Sequence, residues 1–194
     1  MVLARLALAC VAAVSLACCV PHSARAQTRP SAETIATEET PVVLDRWLVD
    51  EHGQRRRFRG DIVGARVTVL SFSYTGCGAI CPISDLVMGE LEDTLRRTGR
   101  GDVALATLTL DPLTDTPERL RAHAEWLGAG PLRRFYTGAP ADMFAVLDGL
   151  GMRYGRLDEH ASFFLVFARD GSARRWPVDT GPEELLAATR GVTR

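Results

Sequence analysis

Between Val67 and Phe72 the chain is apolar and largely β-branched at almost every position, the pattern of a strand buried on both faces within a parallel sheet. The surrounding polar and apolar periods supply its neighbours. Val43, Leu44, Trp47, Leu48 and Val49, a polar turn at Asp50 to Gly53, and Arg55 to Phe58 predict a β-hairpin. Ile83, Leu86, Val87, Leu91 and Leu95 recur at helical spacing, so a helix is predicted from Cys81 to Arg97, with Pro82 suited to its first turn. Val103 to Leu110 reads as a second buried strand. Asp115 or Thr116 can cap a helix opened by Pro117, with Leu120, Ala124 and Leu127 on its inner face. A short strand at Arg134 to Tyr136, a helix at Pro140 to Leu150, a hairpin of Phe163 to Phe167 with Ala173 to Val178 across Asp170-Gly171, and a helix at Pro182 to Arg190 complete the chain. Alternating strands and helices predict an α/β sheet with helices on both faces. Reactive groups in such sheets gather where strands end and helices begin.

The first residues follow a different rule. Arg5 precedes an unbroken apolar run from Leu6 to Val20, and Ala24-Arg25-Ala26 before Gln27 is a small-x-small cleavage pattern. Residues 1–26 are therefore expected to be a secretory signal peptide. The run is shorter than the roughly 20 apolar residues a membrane span needs, and lipid on Cys18 or Cys19 lacks the residues expected just before it. Export to the periplasm or an equivalent compartment with cleavage is thus preferred to lipid or helix anchoring. Residues 27–41 are rich in Thr, Ser, Pro, Ala and Glu and read as a flexible linker, leaving residues 42–194 as one domain. With 46% hydrophobic and 24% charged residues the composition is that of a soluble globular protein. The formal charge of −1 and the scattered arginines offer no basic stripe for nucleic acid.

Cleavage removes Cys10, Cys18 and Cys19, and leaves Cys77 and Cys81 as the thiols of the exported chain. A disulfide across so short a loop constrains the unfolded chain little, so stapling alone is a poor reason for the pair. In a first helical turn the two Cβ atoms lie about 5–6 Å apart, close enough to hold one metal ion or to close into a disulfide. The helix N-terminus favours the thiolate that both chemistries require. Among the other histidines, His52 falls in a hairpin turn and reads as a surface residue, and His123 reads as a packing residue of the second helix. His160 stands just before the apolar strand at Phe163, where both a structural and a ligand role are open. Two thiolates and one imidazole suit Cu(I), accept Cu(II) with an added ligand, and also suit Zn(II). Met88, Met143 and Met152 sit at or beside helical core positions and read as packing residues.

Val69-Leu70-Ser71-Phe72 followed by Thr75-Gly76-Cys77-Gly78-Ala79-Ile80-Cys81-Pro82, then Thr109-Leu110-Asp111-Pro112 with Asp115-Thr116-Pro117-Glu118, and His160 ahead of Phe163-Phe164-Leu165-Val166, together resemble the SCO/SenC family of copper-binding assembly factors. The resemblance spans roughly Val42 to Arg190. It implies a thioredoxin-like fold with the N-terminal hairpin as an extension, and copper held by Cys77, Cys81 and His160. It also implies a partner in subunit II of cytochrome c oxidase, whose dinuclear copper centre the family helps to build. Asp111 matches a family position near the site, where it would orient a ligand; as a turn-former after a strand it has a simpler reading. Gly78 stands where many relatives carry proline, and relatives are often tethered by an uncleaved helix, which leaves proximity to the membrane open. The expected role is a copper metallochaperone rather than an enzyme. The alternative is a periplasmic thiol–disulfide oxidoreductase that reduces the acceptor's cysteines, with Cys77 attacking and Cys81 resolving. A peroxiredoxin-type peroxidase fits poorly, because the threonine such enzymes place three residues before the cysteine is here two before it, at Thr75.

Overall fold

A computed structural model of the chain describes residues 41–77, 81–152, 157 and 162–192. The expected signal peptide and most of the linker lie outside these residues, as does His160. Seven strands form a single sheet: β1 (Trp47–Asp50), β2 (Arg55–Arg57), β3 (Val67–Ser73), β4 (Val103–Thr109), β5 (Arg133–Thr137), β6 (Phe163–Phe167) and β7 (Ala173–Pro177), in the spatial order β2-β1-β5-β4-β3-β6-β7. Four helices accompany them: α1 (Cys81–Arg97), α2 (Pro117–Trp126), α3 (Pro140–Gly149) and α4 (Pro182–Gly191).

The β-branched run over β3 does what its composition suits it for. It is buried at every position and sits at the centre of the sheet, with β4 on one side and β6 on the other. Alternation along the pleat sends Leu70 and Phe72 to one face, with Ala106, Leu108, Phe163 and Leu165, under Met143 and Val146 of α3. Val67 and Val69 point to the other face, with Val103, Leu105, Phe164 and Val166, under Met88, Leu91 and Leu95 of α1 and Leu185 of α4. Helices thus cover both faces.

The sheet is mixed rather than parallel. β3, β4 and β5 run parallel, while β6 pairs antiparallel with β3, β7 with β6, and β1 with both β5 and β2. The direction of β6 has a consequence for chemistry. Because Leu70 faces Leu165 in antiparallel register, the chain enters β6 at the edge where β3 ends. Phe163 at that entrance packs edge-on against Phe72, ring centroids 5.1 Å apart.

Two local expectations shift. The hairpin strand after the Asp50–Gly53 turn is three residues long, and Phe58, buried in the core, opens a short π-helical turn (Phe58–Ile62). The run Arg55-Arg56-Arg57 has partners of its own. Arg55 and Arg57 lie over the Trp47 ring, 4.7 and 5.0 Å from its centroid, and Arg57 pairs with Asp45, whose carboxyl this hydrogen bond holds below the usual carboxylate range. At the start of α2, Thr116 rather than Asp115 caps, its hydroxyl accepting the Arg119 N–H at 3.4 Å.

Phe164 is completely buried between β3 and β7 and against α1 and α4. Phe164→Ala should cost about 3–5 kcal/mol in urea denaturation at an unchanged m-value; a loss below about 1 kcal/mol would contradict this packing.

Candidate metal and thiol centre

The strand β3 stops at Ser73, and a turn closed by the Cys77 N–H on the Tyr74 carbonyl (3.0 Å) carries the chain to Cys77. Cys81 opens α1. The two cysteines are joined as a disulfide with Cα atoms 5.9 Å apart, well inside the span a disulfide bridges. The Cys81 N–H, at the helix terminus, donates to the Cys77 sulfur at 3.4 Å. That donor and the helix dipole favour negative charge on Cys77 when the bond is opened. Burial divides the pair: Cys81 is almost fully covered, whereas Cys77 is half-buried. A nucleophile or an incoming ion therefore meets Cys77 first.

The loop is held from the side by one carboxylate. Asp115, buried, accepts from the Thr75 hydroxyl (2.5 Å), the Thr75 N–H (3.2 Å) and the Thr109 hydroxyl (2.6 Å). Arg119, one helical turn on, donates to the Thr75 hydroxyl at 3.0 Å. Asp115 thus ties the cysteine loop to the end of β4. Asp111 lies half-buried in the turn that presents Asp115. Its carbonyl accepts the Thr114 and Asp115 N–H groups and its own N–H donates to the Thr109 hydroxyl.

From below, the first two turns of α1 rest on a buried ionic cluster. Asp85, one turn after Cys81, pairs through one carboxylate oxygen with Arg133 of β5; its other oxygen accepts from the Ser73 hydroxyl (3.2 Å) and lies 3.7 Å from His123 Nε2. Arg133 is fully buried. It also donates to the Asp85 carbonyl (3.3 Å) and to the Thr107 hydroxyl (3.2 and 3.1 Å), and its guanidinium lies 4.6 Å from the Phe135 ring centroid. His123 stacks on Trp126 and meets Phe135 edge-on, which accounts for it as a packing residue with a buried charge beside it. Burial pushes the Asp85 carboxyl up, and His123 and Arg133 outweigh that and hold it below the ordinary range.

A second carboxylate on the same helix, Glu92, accepts the N–H groups of Gly130, Leu132 and Arg133 at 2.7, 2.8 and 3.1 Å, and so fixes the entry to β5. A Cβ at Gly130 would lie 2.7 Å from Glu92 Oε1, so the close approach needs glycine there.

Cys77 and Cys81 are therefore brought together, and Asp111 lies in the adjoining turn. His160 falls outside the described residues. Ser162 stands just before β6, which enters the sheet at the edge where the cysteine loop sits. His52 stays in the β1–β2 turn, about half-exposed beside Glu51 and Arg134, on a hairpin separated from β3 by β5 and β4. The supporting residues that motif reasoning passes over are Asp85 and Arg133, while Asp115 stands in the motif only as a candidate helix cap. Their signal was a polar residue at an inward position: Asp85 shares the buried stripe of α1 with Cys81 and Met88, and Arg133 shares the inward register of β5 with Phe135.

The chain as a whole has known relatives. The sequence profile of the family described as SCO1/SenC matches residues 36–194. An SCO2-like protein of Rickettsia felis is 25% identical over 187 residues, covering 87% of this chain and 86% of its own. The structure of Bradyrhizobium japonicum ScoI with copper bound superposes with a TM-score of 0.63 at 20% identity, over 76% of this chain and 96% of that one. BsSco, a member of the Sco family of cytochrome c oxidase assembly proteins in which a disulfide switch was identified, superposes with a TM-score of 0.66 at 19% identity, over 82% and 97%. The two structural likenesses establish the fold, which is thioredoxin-like. Among the described residues no helix is long and apolar enough to cross a membrane.

Removing Asp85 strands a buried guanidinium, so Asp85→Ala should cost about 3–5 kcal/mol in chemical denaturation. The pH dependence has a defined sign. Because the folded carboxyl is held below its unfolded value of about 3.9, its contribution is complete above that pH and is lost as the pH falls through the lower folded value. Asp85→Asn should therefore show a flatter loss of stability below about pH 4 than the parent; identical acid profiles would contradict the pairing.

Proposed function

The chain belongs to the SCO1/SenC family, and from that premise we propose that it is an exported copper metallochaperone, taking copper through Cys77, Cys81 and His160 and assisting assembly of the dinuclear copper centre in subunit II of cytochrome c oxidase. One observation carries the reading: two sulfurs at the N-terminus of α1, one of them receiving a helix-terminal N–H, at the edge where the chain enters β6. His160 precedes Phe163 by three residues, a reach of at most about 11 Å. Phe163 itself packs on Phe72, close to where the cysteine loop begins. The copper-bound ScoI relative shares this fold. Soft thiolates with one imidazole favour Cu(I) and admit Cu(II) with a further ligand.

The disulfide has no thiolate to offer, so loading begins with its reduction. A dithiol reductant attacks the more exposed Cys77 sulfur; the S–S bond breaks and the electron pair leaves on Cys81. The reductant's second thiol then releases Cys77 by closing its own disulfide. Copper enters as both cysteines give up their protons to solvent. Transfer to the acceptor follows by exchange of these ligands one at a time. The half-buried Cys77 beside the more deeply buried Cys81 also favours the second reading, in which the reduced pair reduces the acceptor's cysteines. In that case Cys81→Ser should abolish reduction of an acceptor peptide by the metal-free protein and trap a mixed disulfide on Cys77.

Anaerobic competition titration of the reduced chain should show one tightly bound Cu(I). Cys77→Ser should lose it. His160→Ala should weaken it by more than the roughly 10–100-fold that loss of an orienting neighbour costs, and Asp111→Asn should fall within that smaller range. Binding indifferent to Cys77 and His160 would overturn the proposal.

A further inference from the structure

The guanidinium of Arg175, on β7, touches both ends of the connection between α3 and β6, the stretch of sequence that contains His160. At the first end, α3 stops at Gly149 and the chain leaves it through a left-handed residue, Gly151, with φ +75°. The Gly151 N–H donates to the Asp148 carbonyl at 3.0 Å and the Met152 N–H to the Leu147 carbonyl at 2.8 Å, the closing bonds of a helix that ends on glycine. The Leu150 carbonyl accepts from Arg175 Nη2 at 3.4 Å, and a cation at this end also suits the helix dipole. A Cβ at Gly151 would lie 2.6 Å from the same nitrogen, so the guanidinium fills the space a side chain there would need.

At the second end, the Arg175 guanidinium lies over the Phe163 ring, 3.9 Å from its centroid. Phe163 opens β6, three residues after His160, and packs in turn on Phe72, the residue before β3 ends. Arg175 faces Leu165 in the β6–β7 register, and Leu150, Met152, Phe163 and Leu165 belong to one buried apolar cluster. Apolar packing beside Phe163 does not call for arginine; a methionine would fill that place. What arginine adds is a donor for the carbonyl at one end of the connection together with a cation on the ring at the other. Because β7 is the outer strand of the sheet, the side chain does this while only half-buried, so its charge stays partly solvated.

We infer that Arg175 is a positioning residue for the copper centre. By holding the exit of α3 and the entrance of β6 at one point, it sets where His160 is presented to Cys77 and Cys81. This rests on the three-ligand reading above and adds to it a residue outside the ligand set.

The test is a double-mutant cycle between Arg175 and His160, read by anaerobic Cu(I) competition titration of the reduced full-length chain. Arg175→Met keeps the apolar stem and removes the charge and the donors. It should weaken Cu(I) about 10-fold in the parent, as loss of an orienting neighbour does, and less than about twofold in the His160→Ala background. Arg175→Lys, which keeps a cation and a donor, should recover most of the loss. If urea denaturation shows Arg175→Met to be unfolded, Arg175→Gln takes its place against Arg175→Lys in the same two backgrounds, and its deficit should again vanish without His160. Equal weakening in both backgrounds would mark Arg175 as general support for the fold and overturn the inference. Unchanged affinity in the Arg175 variants beside a clear loss in His160→Ala would also overturn it, and would leave the three-ligand reading standing. If His160→Ala itself binds like the parent, that reading fails and the inference falls with it.

Discussion

Two sulfurs four residues apart act as one centre only if the strand that ends before them and the helix that begins with them keep a fixed offset. That offset is set by two buried carboxylates. Asp115 grips the loop laterally through Thr75 and Thr109, and Asp85 seats the first turns of α1 on Ser73 and Arg133. Neither contact is local: Asp115 lies 40 residues from Thr75, and Arg133 lies 48 from Asp85. The geometry of a short loop is thus paid for in tertiary structure, by desolvated charge that returns its cost only while every partner stays in place.

Much of this was legible in the sequence. The buried run of β3, the helical spacing after Cys81 and the proline-opened helices each report a local period or a local cap, and the structure reproduces the elements; on α1, however, Ile83 and Leu86 of that spacing lie exposed, and Asp85, Met88 and Glu92 join Leu91 and Leu95 on the buried face. The placement of a thiol pair at a strand-to-helix junction followed from the same periods. What the sequence concealed is the partnership between distant polar residues. The strand expected at Arg134 to Tyr136 begins one residue earlier, and the pleat turns Arg133 inward and Arg134 toward Glu51. Which way it turns is decided by Asp85 on a helix that precedes it by one strand and one helix. The mixed character of the sheet was hidden for a related reason: apolarity reports burial on both faces, which an interior antiparallel strand such as β6 achieves as well as a parallel one. The Cys77, Cys81 and Asp111 neighbourhood was visible from its motif, whereas Asp115 looked like a helix cap because its neighbour Thr116 performs that role.

Within the thiol centre the burial is uneven: Cys81 is covered and Cys77 half-buried, and the Cys81 N–H that donates to the Cys77 sulfur belongs to the terminus of α1.

The proposal that Cys77, Cys81 and His160 form a single coordination set meets its sharpest test in copper X-ray absorption on the reduced, Cu(I)-loaded chain. The spectrum should show a first shell of two sulfur neighbours and one nitrogen neighbour, with the nitrogen contribution lost or replaced in His160→Ala. A shell with fewer than two sulfurs, or a spectrum unchanged by that substitution, would contradict it.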